Sequence, residues 1–187
     1  VIQSANSVYD ALTFILGGSL VRNNHHVRLF GQNIESHLNG LIVGRKNNLV
    51  DNHTYIDHAM PNCNSNELYK GIAYDKSTLV FNGKIMVRRD AQKTNAYQSS
   101  KNILMSDDAS IYTKPQLEIF ADDVKCSHGT STGKVDEDAL FYLKARGIGD
   151  ASARKLLLQA FAQELIDKVE LPQLQEKILQ SFEESLN

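Results

Sequence analysis

From Val8 to about His128 the apolar residues recur at every second position or in short β-branched runs: SLVRN, HVRLF, GLIVG, NLVDNHTYIDH, STLVFNGKIMV and PQLEIF. A period of two sends successive side chains to opposite faces, so these stretches predict short strands. Turn letters separate them: Asn23-Asn24, Gly31-Gln32-Asn33, Asn39-Gly40, Asn47-Asn48, Asn62 to Asn66 and Asn82-Gly83. Asn and Gly tolerate the left-handed backbone that a sharp corner requires. Many short strands at close spacing suit either a sandwich or a solenoid of stacked coils, and without an exact repeat the periodicity leaves both open.

After Gly133 the period becomes helical. Asp136-Glu137-Asp138 supplies an acidic first turn, Leu140, Phe141 and Leu143 continue it, and Gly147 stops the helix after Arg146. A second helix is predicted from about Asp150, with Ala153, Leu156, Leu157, Ala160, Phe161 and Leu165 on one face, and Leu171-Pro172 breaks it. A third carries Leu174, Ile178 and Phe182 on one stripe. The chain therefore divides near Val135 into a β-rich domain, 1–134, and an all-helical domain, 135–187. Apolar stripes on short terminal helices either pack on the body or form a docking surface.

Composition narrows the function. The 187 residues carry a net charge of −2 and 42% hydrophobic content, a balance that asks for no nucleic acid. No apolar run approaches the roughly 20 residues that cross a bilayer. The start, VIQSANSVYDAL, lacks the plan of a secretory signal, and Cys63 and Cys126 are too few for a disulfide framework, so a reducing, cytoplasmic setting is expected. Residue one is Val and the text opens inside a patterned region, so an upstream part of the natural protein is expected as well.

The richest chemistry lies in KCSHGTSTGK, Lys125 to Lys134. Its back half resembles a phosphate-binding loop but fails twice, with one residue too few between Gly129 and Gly133 and with Val135 where the magnesium-binding hydroxyl belongs. A flexible strand-to-helix connection is the plainer expectation for it. Cys126 and His128 are two apart on a predicted strand, which puts them on one face with Cα atoms roughly 6.5 Å apart. Thiolate and imidazole together suit zinc, iron or an iron–sulfur centre, but a closed site takes about four ligands. The remainder must come from elsewhere in the chain, from a substrate or from another subunit. Otherwise Cys126 is a small buried hydrophobe and His128 a rim residue. A cysteine nucleophile with a histidine base is poorly served by this spacing, since parallel side chains rarely form an in-line hydrogen bond. His53, His58 and Cys63 are conceivable distant ligands, though surface polar residues are the simpler expectation for them, as for His25, His26 and His37.

The run from Tyr112 to Leu165 closely resembles the C-terminal region of the SufB/SufD family, the scaffold subunits of the SUF iron–sulfur cluster assembly machinery. KPQLEIFADDVKCSHG, Lys114 to Gly129, and LFYLKARGI, Leu140 to Ile148, carry the resemblance most specifically, and the segment His37 to Ile72 also looks like the family's core. The SufD side of the family is the better match. SufB-type sequences lack the Cys126 pattern, carry glutamate where this chain has Gly129, and have an essential cysteine in the preceding strand, where Tyr97 to Lys101 has none.

The resemblance implies a mainly β protein, a right-handed parallel β-helix with a C-terminal all-helical domain. It also implies a non-catalytic scaffold that pairs with SufB through the β-helix ends and docks the ATPase SufC through its terminal helices. A nascent iron–sulfur cluster would be held at the shared junction, not by the isolated chain, with His128 as the stronger contributor and Cys126 as the weaker; a flavin is compatible with the full complex. No nucleic acid or membrane partner is implied. An isolated fragment is expected to pair with itself across its open coil end. The rival expectation is a stand-alone metal- or thiol-dependent enzyme using Cys126 and His128 with a third ligand such as His58.

Overall fold

The structure, a computed structural model, describes residues 1–186. Ten strands precede three helices: β1 (Ile2–Gln3), β2 (Val8–Ile15), β3 (Leu20–Leu29), β4 (Glu35–Gly44), β5 (Leu49–His58), β6 (Asn64–Ala73), β7 (Thr78–Val87), β8 (Thr94–Leu104), β9 (Ser110–Ile119), β10 (Val124–Gly133), α1 (Glu137–Ala145), α2 (Asp150–Ile166) and α3 (Pro172–Ser185). Odd strands form one five-stranded sheet and even strands another, in the orders β1-β3-β5-β7-β9 and β10-β8-β6-β4-β2. Every pairing is parallel. Each coil thus gives one strand to each sheet, and the result is the parallel β-solenoid, with about five turns, rather than the sandwich. Leu20, Leu49, Thr78 and Ser110 stand in one column of Cα partners, and Val8, Glu35 and Asn64 in another. The intervals drift by a few residues from coil to coil, which is why the repeat is hidden in the sequence.

The corners explain the drift. Asn6, Asn33, Asn62 and Lys93 occupy one corner of successive coils, with φ of 59°, 57°, 60° and 57°. Gly18, Lys46 and Asp75 occupy another, also with positive φ. Corner main chain bonds to corner main chain in the next coil, as from Asn62 N to the Gln92 carbonyl at 2.9 Å. By contrast, Asn23-Asn24, Asn39-Gly40 and Asn82-Gly83, expected as turns, lie inside β3, β4 and β7. Two contacts keep them there. Asn23 Nδ2 donates to Asn52 Oδ1 of the next coil at 2.6 Å, and Gly83 leaves space that a Cβ would take from the Gln98 side chain.

The solenoid interior is filled by inward residues such as Leu29, Leu38, Ile42, Val50, Ile56 and Ile85. A second core lies between the outer face of the even sheet and the helices, where Leu41, Val43, Leu68 and Ile72 meet Leu158, Ala162, Leu165, Ile166 and Phe182. Strands β4 and β6 are therefore buried on both faces, as parallel sheets covered by helices are. Lys70, outward on β6, is clamped beneath α2, with Nζ 2.7 Å from the Phe161 carbonyl, 2.7 Å from Glu164 Oε2 and 4.9 Å from the Phe161 ring centroid.

Asp136 caps α1 by accepting from the main-chain N–H of Asp138 and Ala139, and Gly147, at φ 87°, follows its end. Pro172 opens α3. The buried face of α2 differs from the expected one: Leu158 and Ala162 are inside while Leu156 is exposed. The run Leu156-Leu157-Leu158 supports more than one face by spacing alone, and the sheet chooses between them. The stretch Gly129 to Gly133 is also corrected. It is no flexible connection but the second half of β10, paired residue for residue with Ser99 to Ile103, so cross-strand hydrogen bonding overrides the weak strand preference of Gly.

Candidate functional site

Strand β10 closes the even sheet and β9 the odd one, so together they form the uncovered end of the solenoid. Residues facing the interior are fixed by parity. Thr94, Ala96, Gln98, Ser100 and Asn102 of β8 are buried, and their partners on β10 are Val124, Cys126, His128, Thr130 and Thr132. Cys126 and His128 thus share the inward parity of the last coil, and no further coil covers them. Cys126 is half-buried against the interior core, and burial pushes its thiol above the ordinary range, against the pull of an Ala96 main-chain contact. His128 is exposed. The expected juxtaposition is present, with one sulfur and one nitrogen donor on a single accessible face.

Behind this pair runs a polar column. Glu67, Gln98 and His128 are successive Cα partners on β6, β8 and β10. Gln98 Nε2 donates to Glu67 Oε2 at 2.5 Å, and both residues are buried. Burial pushes the Glu67 carboxyl up to about 7, although the Thr54 hydroxyl and the Gln98 amide draw it down. Beside them the Tyr69 ring stacks on Phe81 with centroids 4.8 Å apart, and burial together with Glu67 pushes its phenol far up. Glu67 and Gln98 escape sequence reading because a polar letter in an alternating strand is ordinarily assigned to the solvent face.

The other candidates do not join the pair. His53 is on the outer face of β5 with Nε2 2.8 Å from Asp51 Oδ1, and His37 lies 3.8 Å from Glu35. His25 Nε2 meets the Tyr9 hydroxyl at 3.0 Å near the opposite end, and His26 stacks edge-on against Tyr55. His58 and Cys63 correct the expectation of surface residues, because both are fully buried. The His58 ring lies 2.8 Å from the Ser65 hydroxyl, and burial lowers its pKa to about 4, so it is neutral. Cys63 donates to the Gly31 carbonyl at 3.2 Å. Among the described residues no group of three or more His, Cys, Asp or Glu side chains converges to hold a metal ion. A groove of about 700 Å³ lined by Asp10, His37, Lys168, Glu170 and Leu174 adjoins β2, at the far end of the even sheet from β10. Among the described residues no helix is long and apolar enough to cross a membrane.

Fold and site together define a helix-covered β-solenoid that offers an incomplete thiol–imidazole pair on its terminal edge. The chain belongs to the SufBD family. Residues 1–161 match the family described as SUF system FeS cluster assembly, SufBD core domain. The iron–sulfur cluster assembly protein SufD of Escherichia coli is 41% identical over 89% of this chain and 40% of its own length. An iron–sulfur cluster assembly SufBD family protein of Synechocystis is 36% identical over 96% of the chain and 40% of its own. The chloroplastic protein ABCI7 of Arabidopsis thaliana is 38% identical over 89% of the chain and 35% of its own. The chain thus spans about two fifths of the length of these relatives.

Proposed function

We propose that this chain is the non-catalytic, SufD-type half of an iron–sulfur assembly scaffold, with the nascent cluster as its cargo. The carrying observation is the two-donor half-site at an unpaired edge: His128 and Cys126 share the inward-facing row of the last coil, which is open at its end to a partner's ligands, whereas among the described residues no third ligand lies with them. SufB is the proposed partner at the β9–β10 end, where Ile119 and Phe120 expose apolar surface beside the edge. SufC, supplying ATP hydrolysis, is assigned to the helices. Since α2 and α3 spend one face on the sheet, docking falls to α1 and the outer side of α2, where Phe141, Tyr142 and Leu156 are exposed. Two unpaired cysteines suit a reducing, cytoplasm-like compartment.

Metal capture by Cys126 requires loss of a proton from a thiol that burial holds in the neutral form, so the imidazole is the readier donor and the thiolate follows once a metal is present. Reconstitution of the complete complex with His128→Ala tests the assignment. Cluster yield and bound iron should fall about tenfold or more, the scale of losing a ligand or its support. Wild-type yield would remove His128 from the role.

A further inference from the structure

The Gln98 amide oxygen is buried without a hydrogen-bond partner, and it sits on the residue directly paired with His128. A buried acceptor left without a donor is costly and calls for an explanation. The other end of the same amide is fixed. Gln98 Nε2 donates to Glu67 in the preceding coil, on the side of β8 away from β10. Nitrogen and oxygen diverge from one carbon, so with Nε2 turned toward β6 the oxygen is turned away from Glu67. Paired strands lie roughly 4.8 Å apart, which makes same-face side chains on partner residues neighbours. His128, exposed at the end of the column, is the polar side chain on the residue paired with Gln98 from the open side.

We propose that Gln98 is the positioning residue for His128: its amide oxygen accepts one ring N–H and leaves the other nitrogen as the metal donor, and Glu67 holds the amide in that orientation. Histidines that bind metals ordinarily give their second N–H to such an acceptor, which fixes tautomer and ring direction. The inference rests on the ligand role of His128 given above. An ionised carboxylate only accepts hydrogen bonds, so it demands the nitrogen end of the amide and excludes the flipped arrangement. With the Glu67 carboxyl pushed to about 7, that demand strengthens as the pH rises past neutrality. Facing Glu67 are Thr54 from β5, Gln98 from β8 and Tyr69 from its own strand, and the Tyr69 phenol, pushed far up, stays neutral there. Gly83 contributes by leaving the slot in which the amide lies.

The test reads the imidazole itself. Nitrogen-15 spectra of His128 in the protein at its natural length, at mildly alkaline pH, should show one dominant neutral tautomer. Gln98→Met should bring the two tautomers to comparable populations, Glu67→Met should do so partly by freeing the amide, and Glu67→Gln, whose carbonyl still accepts from Nε2, should preserve the bias. Cluster yield in the complex should fall roughly tenfold in Gln98→Met. An unchanged His128 spectrum in folded Gln98→Met overturns the proposal, and Gln98→Ala serves the same purpose should the thioether disturb folding. Wild-type cluster yield in His128→Ala would defeat the ligand role while leaving the tautomer result standing, so the two failures are separable.

Discussion

Two buried titratable side chains give this protein opposing pH responses. The Glu67 carboxyl is raised from 4.5 to about 7, so the folded state keeps a proton that the unfolded chain releases; the associated stability is complete below about 4.5 and is lost as the pH rises to about 7. His58 is lowered from 6.5 to about 4, so its contribution is complete above 6.5 and is lost as the pH falls to about 4. Across the shared window the slopes cancel, and the wild type should show a flat stability profile. Glu67→Gln should remove one slope and stabilise the protein above neutrality by up to about 3 kcal/mol, at roughly 1.4 kcal/mol per pH unit. Denaturant unfolding of wild type and variant across that range checks the sign. Neither residue is legible as interior in the sequence, because NHTYIDH and NELYKG look half-solvated until the neighbouring coil is known. The Cys126–His128 spacing was legible, since its face depends only on a period of two.

At the scale of elements, strands and helices were readable where local pattern and tertiary demand agree, as in NLVDNHTYIDH and around the Asp136 cap. They were not readable where neighbours overrule the letters. Gly129 to Gly133 becomes strand because β8 supplies a complete row of partners, and α2 turns Leu158 rather than Leu156 inward because β4 and β6 already present Leu41, Val43, Leu68 and Ile72. The joint between sheet and helices depends on Lys70, whose ammonium is buried while Glu164 remains half-exposed. Lys70→Ala should cost about 1–3 kcal/mol, the range for losing a buried hydrogen bond to a charged group. Hydrogen exchange should accelerate in α2 and α3 and leave β3, β5 and β7 protected. Uniform acceleration throughout the chain would show instead that helices and solenoid open as one unit.

For the whole molecule, β9 and β10 leave open strand edges at one end of the solenoid, and long uncovered edges associate. Without the proposed partner, the chain is expected to pair with itself through β9 and β10. Ile119→Lys with Phe120→Asp should convert that dimer to monomer in light scattering while leaving the circular dichroism spectrum in place. A dimer that survives both charges lies elsewhere. The sequence contained this architecture only weakly, because no exact repeat announces the coils. The family resemblance supplied the solenoid, and the stacked corners from Asn6 to Lys93 show how unequal coils still superpose.

The position of His128 within its strand carries a symmetry consequence. Strand β10 has ten residues, from Val124 to Gly133, and His128 stands beside its midpoint. A two-fold axis reverses strand direction, so two β10 edges joined by such an axis would run antiparallel. Centred pairing would then bring both imidazoles next to the axis, one from each chain. A register slip of two residues would carry them apart along the seam, and a slip of one would turn one row of side chains to the opposite face. The geometry of a shared centre would thus be set by main-chain register before any side chain chooses a ligand.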